Sequence, residues 1–152
     1  MTDWLPGKKD QIAGYTFQLE VDGITEATFR ECGGLDNETQ VIESKEAGLK
    51  GQTVIRKLPG ALKWGDINLK RGFTKAGMEL HDWRQKAIDG DLTGMRKNGS
   101  IVVYDYKNEE VLRWNFTNGW ISKLGGPTLN ASGNDVAVET ITIVHEGLKR
   151  IK

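Results

Sequence analysis

The sequence predicts a β-rich domain that carries one helix. Runs of alternating apolar and polar residues recur along the chain. One stretch has the 3.6-residue period of an amphipathic helix, and turn pairs such as Asp22-Gly23 and Asn118-Gly119 punctuate the rest.

Residues 1–14 read as a flexible arm whose apolar part is Trp4, Leu5 and Pro6, and residues 15–152 as a single domain. Residues 15–22 form the cleanest strand, with Tyr15, Phe17, Leu19 and Val21 on one face and Thr16, Gln18, Glu20 and Asp22 on the other. Asp22-Gly23 signals a hairpin. The next strand, about 24–31, places Thr25, Ala27 and Phe29 together and ends at Cys32-Gly33-Gly34, where glycines permit a bend or bulge. Residues 39–46 alternate poorly: Val41 and Ile42 face opposite sides among Gln40, Glu43, Ser44 and Lys45. Such a strand suits an edge ribbon, or a wall with water on one side. Residues 47–65 are basic, rich in glycine and interrupted by Pro59, and too long for a simple hairpin turn. Ile55, Leu58, Leu62 and Trp64 argue against disorder. The segment reads as an extended excursion that packs on something, another subunit among the possibilities.

Ile67, Leu69 and Arg71 alternate with Asn68 and Lys70, as in a half-buried strand, and Gly72 and Gly77 bracket a break. Leu80, Trp83 and Ala87 then fall at i, i+3 and i+7 with Ile88 beside them, one apolar stripe on a helix of about three turns. Gly90 is the expected stop, because glycine takes the left-handed C′ conformation at no steric cost. Residues 91–99 read as a polar turn region. Residues 100–107 are apolar on both faces and so belong at the centre of a sheet. After a turn at 107–109, Leu112, Trp114 and Phe116 give the inner face of a strand that continues past an Asn118-Gly119 bulge to Leu124. Gly125-Gly126-Pro127 breaks it. Residues 136–146 are the last expected strand, followed by a short basic tail.

At 152 residues the domain is large enough to bury a core without disulfides or metal, and five Trp, four Phe and three Tyr supply bulk for it. No apolar run approaches the length of a membrane span, and residues 1–14 hold no signal-peptide core. The single Cys32 fits a reducing compartment. The 21 basic and 21 acidic residues cancel but are segregated. Between Asp10 and Glu46 nine acids face two bases; between Ala47 and Lys75 seven bases face one acid. The bland interpretation is solvated loops on opposite edges. The sharper one is self-association, acidic surface against the basic surface of a second copy. A net charge of zero argues against nucleic-acid binding.

Motifs for catalysis are missing. His81 and His145 stand alone in sequence, without cysteines or carboxylates at metal-ligand spacing. There is no nucleophile elbow, Walker loop or dinucleotide fingerprint. Cys32 reads as a small residue at a tight bend, and Asp89 and Asp91 as solvated or turn-capping groups. No enzyme activity, cofactor or metal is expected.

Four stretches carry a resemblance: FQLEVDGITEATFRECGGL, RKLPGALKWGDINLKRGFT, LHDWRQKAIDGD and RWNFTNGWISKLGGPTLNASGNDVAVETITIVHEGL. In this order and spacing the chain resembles the tail tube protein family of contractile phages and related contractile injection systems. The resemblance implies a β-sandwich or barrel with a flanking helix, six-membered rings, and rings stacked into a hollow tube with strands of all copies joined around the lumen. It implies sheath and baseplate or spike partners, and protein or DNA cargo. It also implies assembly in a bacterial or host cytoplasm followed by incorporation into an injection particle or virion tail, without stable membrane insertion. An injection-system tube is the favoured form; a DNA-carrying phage tail tube, a type VI-like secreted ring protein and a monomeric baseplate adaptor are the alternatives. Thr39, Gln40, Glu43 and Lys45 become candidates for lining the lumen. Leu49, Lys50, Val54, Ile55, Arg56, Lys57, Leu58, Trp64 and Trp4 become candidates for contacts between subunits and rings.

Overall fold

The computed structural model describes residues 15–22, 24–72, 78–133 and 137–152. The expected arm over residues 1–14, Trp4 included, lies outside them, as do Gly23, Gly77 and Val136. The elements run β1 (Thr16–Val21), β2 (Ile24–Phe29), β3 (Glu31–Gly33), β4 (Asn37–Ala47), β5 (Thr53–Trp64), β6 (Ile67–Gly72), α1 (Met78–Ile88), α2 (Leu92–Met95), β7 (Lys97–Tyr104), β8 (Glu110–Gly125), β9 (Val138–Val144) and β10 (Gly147–Arg150).

Eight strands make one antiparallel sheet in the order β2-β1-β7-β8-β9-β6-β3, with β10 also on β8. Its two ends, β2 and β3, are consecutive in the chain, separated by Arg30, whose N–H donates to Lys70 O across 2.8 Å. The sheet therefore curls towards a barrel. Strand β8 makes the corner. Its first half pairs with β7 on one side and β10 on the other, as in Phe116↔Leu148, and its second half pairs with β9, as in Ile121↔Ile143. The bulge predicted at Asn118-Gly119 sits between the halves: Asn118 has a φ of +49°, and the β7 register slips between Lys97 and Gly99. The freed Asn118 N–H donates to Asn98 Oδ1 at 3.0 Å.

The core follows from alternation. Leu19, Val21, Ile67, Leu69, Phe116, Ile121, Ile141 and Ile143 point inward from their strands and are buried. Strand β7 is buried on both faces at Ile101, Val102 and Val103, as its sequence predicts for a central strand. Helix α1 presents Leu80 and Trp83 to the sheet, and both are buried. Arg84 Nη1 donates to Ile121 O at 3.1 Å, which satisfies a β8 carbonyl beyond the last residue that β7 pairs. Gly90 ends the helix at φ +78°.

Four expectations are corrected. Ile88 is exposed rather than part of the helix stripe, since the helical turn places it about 80° round from Leu80. Residues 91–99 are not all turn: the Asp91 carboxylate accepts from Gly94 N–H at 3.0 Å and caps α2, whose Met95 is buried and whose Met95 carbonyl accepts from Trp83 Nε1 at 2.6 Å. The chain does not end in a tail after β9, because residues 147–150 pair with β8 as β10. Lys149 and Arg150 are exposed there, charges that suit an edge strand. His81 is not alone. Its Nε2 lies 2.9 Å from Oε1 of the buried Glu139 on β9, without hydrogen-bond alignment, while Arg71 Nε of β6 donates to Oε2 at 2.9 Å. That carboxylate sits where α1 meets the sheet.

Candidate assembly surface

The segment expected to be a long excursion is the second arm of a hairpin. Strands β4 and β5 pair with each other from Asn37↔Trp64 to Ala47↔Thr53 and with no other strand among the described residues. Pro59 and the glycines hid this strand. They are tolerated because the register slips between Thr39 and Val41, opening a bulge beside Pro59 and Gly60. The 11 residues of β4 give a ribbon roughly 35 Å long at about 3.3 Å per residue.

Its root is built tightly. Gly65 N–H donates to Asp36 O at 3.0 Å. Gly34 has a φ of +81°, and a Cβ there would lie 1.7 Å from Asp66 O, so only glycine fits. Trp64, a sequence candidate for contacts between subunits, is half-buried here, its ring 6.0 Å from that of His145. His145 lies between Trp64 and Phe116, both imidazole nitrogens buried without a hydrogen-bond partner among the described residues. The tip is a defined turn: Gly48 N–H donates to Gln52 O at 2.6 Å, and Lys50 takes a φ of +69°. Leu49 on that turn is 92% exposed.

Between root and tip the side chains are exposed on both faces. Val41, Ile55 and Leu62 share one face; Ile42, Val54 and Leu58 share the other. Thr39, Glu43 and Lys45 lie together, whereas Gln40 lies on the opposite face, so these four lumen candidates do not line one surface. Arg56 and Lys57 likewise point to opposite faces. The segregated charges meet inside the ribbon rather than on separate edges of the molecule: Glu43 sits opposite Lys57, Glu38 opposite Lys63, and Arg56 Nε is 2.7 Å from Glu46 Oε2. Part of the complementarity read as self-association is therefore satisfied within one chain.

Burial pushes the Cys32 thiol up to about 12, leaving it protonated and a poor nucleophile at neutral pH. Among the described residues no three His, Cys, Asp or Glu side chains gather to hold a metal, and no helix is long and apolar enough to cross a membrane. Sequence reasoning missed the isolation of the ribbon. Its signal was the poor alternation of residues 39–46 followed directly by an equally exposed partner.

A curled antiparallel sheet with one main flanking helix and a projecting ribbon defines a protein of the tail-tube class of fold. The chain belongs to the family of the T4-like virus tail tube protein gp19, whose model matches residues 13–149. Among curated proteins none matches it. Among solved structures it is similar to a chain of the sheath–tube complex of an extracellular contractile injection system, PVC, in its extended state, with TM-score 0.75, 22% identity, 99% of this chain and 97% of that chain covered. It is similar also to a chain of the anti-feeding prophage cap, with TM-score 0.76, 21% identity and the same coverages of 99% and 97%. Hcp1 from Flavobacterium johnsoniae is more distant, with TM-score 0.53, 17% identity, 90% of this chain and 94% of that chain covered.

Proposed function

We propose that this chain is the inner-tube subunit of a contractile injection system. Six copies form a ring, rings stack into a hollow conduit, and contraction of a surrounding sheath drives the conduit into a target. The observation that carries this is the ribbon. A two-stranded sheet standing alone is marginal in water, and this one exposes apolar side chains on both faces. It gains stability only when other surfaces cover it, which repeated contacts with further copies supply. Similarity across nearly the whole chain to a component of a sheath–tube complex supports the same role.

Leu49, Lys50, Val54, Ile55, Arg56, Lys57 and Leu58 would then contact neighbouring subunits and rings, with Trp4 of the arm as a further contact. Thr39, Glu43 and Lys45 would face the lumen together. Trp64 would act within its own chain, as the ribbon's anchor. Partners are the sheath protein and a baseplate or spike, and the cargo is protein or DNA. Subunits would assemble inside the producing cell and work in a particle outside it. The role is mechanical and involves no catalysis.

The match to a virus tail tube family favours a second reading, the DNA-carrying tube of a contractile phage. Nuclease-protected DNA in purified particles would distinguish it. Sedimentation over a concentration range tests both, since each requires a species of six times the 16.9 kDa chain. A strictly monomeric chain at every concentration would remove both.

A further inference from the structure

One cavity on the body has an apolar lining and matches the ribbon's tip. It is a cleft of about 250 Å³ lined by Phe17, Cys32, Leu35, Val103, Leu112 and Trp114. Tyr15 stands at its edge, 48% exposed, in edge contact with Phe17 at 5.1 Å between ring centroids. We propose that this cleft receives Leu49 from the ribbon tip of a second copy of the chain.

Four observations point there, and the proposal rests on the tube-subunit reading. Among the described residues Leu49 is the most exposed of the large apolar side chains at 92%, and it is fixed on a hydrogen-bonded turn rather than left on a loose loop. The chain's own cleft is out of its reach: Leu35 in the cleft lies two residues before the start of β4, at the root, and the tip stands a ribbon's length away. The charges agree. Lys50 neighbours the incoming leucine, while the exposed Glu31 and Asp36 neighbour Cys32 and Leu35 of the cleft. Glu31 is only loosely engaged by its own chain, 3.7 Å from Lys70 Nζ. Finally, tip and cleft are different surfaces of one molecule. A contact between them is heterologous, the type that repeats head to tail into rings or stacks.

The test uses the full chain with p-benzoylphenylalanine in place of Leu49, mixed with isotopically heavy wild-type chain, assembled, irradiated and mapped by peptide mass spectrometry. Adducts are expected on heavy peptides carrying Phe17, residues 32–35, Val103 or Trp114. Adducts confined to other surfaces, or to the cleft of the probe's own chain, would overturn the assignment. So would the same probe at Trp4 marking the cleft of its own chain. As a second variant, Leu49→Asp should leave circular dichroism and thermal unfolding unchanged, because the Leu49 side chain is 92% exposed. It should raise the concentration for half-assembly about tenfold or more, the loss of one buried leucine. Assembly at an unchanged concentration would count against the cleft. Rings or tubes that form while the probe marks another surface remove only this contact; a wild-type chain that never assembles removes the tube reading with it.

Discussion

Arg71 and Glu139 form a buried ion pair across β6 and β9, with Nε and Oε2 2.9 Å apart and the carboxylate 1% exposed. The same carboxylate meets His81 of α1 through its other oxygen. Removing the Glu139 carboxylate deletes a buried, charge-assisted hydrogen bond to Arg71, which costs on the order of 1–3 kcal/mol. Glu139→Ala is expected to lower the free energy of unfolding by that amount, read as a lower urea midpoint with little change in slope. A loss below about 1 kcal/mol would mean the ion pair between β6 and β9 adds little to the fold.

Cys32 reports on burial. Its thiol ionises near 9.0 in an unfolded chain and near 12 in the fold, raised by desolvation. The unfolded state therefore sheds the proton first, so this group's contribution to stability is intact below pH 9.0 and declines as pH rises from there towards 12. At pH 8 the folded chain holds roughly a thousandfold less thiolate than the unfolded chain. Alkylation by iodoacetamide should be correspondingly slow until urea is added; equal rates with and without urea would contradict the burial.

Folding and assembly should separate in the ribbon. Ile42→Asp and Leu58→Asp change exposed, cross-strand neighbours that contribute nothing to the buried core. The stability of the body is expected to stay within about 0.5 kcal/mol of the parent, while the concentration needed for assembly rises. The double reversal of Arg56→Glu with Lys57→Glu should act in the same direction. It sets like charges against Glu46 and Glu43 within the ribbon as well as altering its outer surface.

Gly34→Ala should destabilise by about 2 kcal/mol or more, combining a positive φ with a Cβ driven into the Asp66 carbonyl. Gly51→Ala at the ribbon tip also meets a positive φ, of +73°, but open space. It should cost only about 1 kcal/mol. Thermal unfolding of the pair separates clash from backbone strain.

Elements with a strong local period could be read from the sequence. Leu80 and Trp83 mark α1, alternation at Ile67, Leu69 and Arg71 marks β6, and Asn118-Gly119 marks the corner of β8. What escaped depends on distant partners. Helix α2 needs only four residues because Asp91 caps it and Trp83 binds its end. Strand β10 is four residues with one large apolar side chain, Leu148, too short to show a period until it pairs with Phe116. The link from His81 to Glu139 spans two elements with no shared motif. Strand β5 escaped for a different reason: Pro59 and Gly60 mimic a loop, and no buried face imposes alternation on a ribbon exposed on both sides. Of the candidate surface, the segment was legible, but which side chains share a face became readable only once the bulge fixed the register.

Electron microscopy of the concentrated full chain tests assembly most directly. Hollow tubes with sixfold end views, or free six-membered rings that stack as concentration rises, are the expected result. Discrete single-subunit particles at every concentration, or solid filaments without a lumen, would contradict a conduit built from this chain.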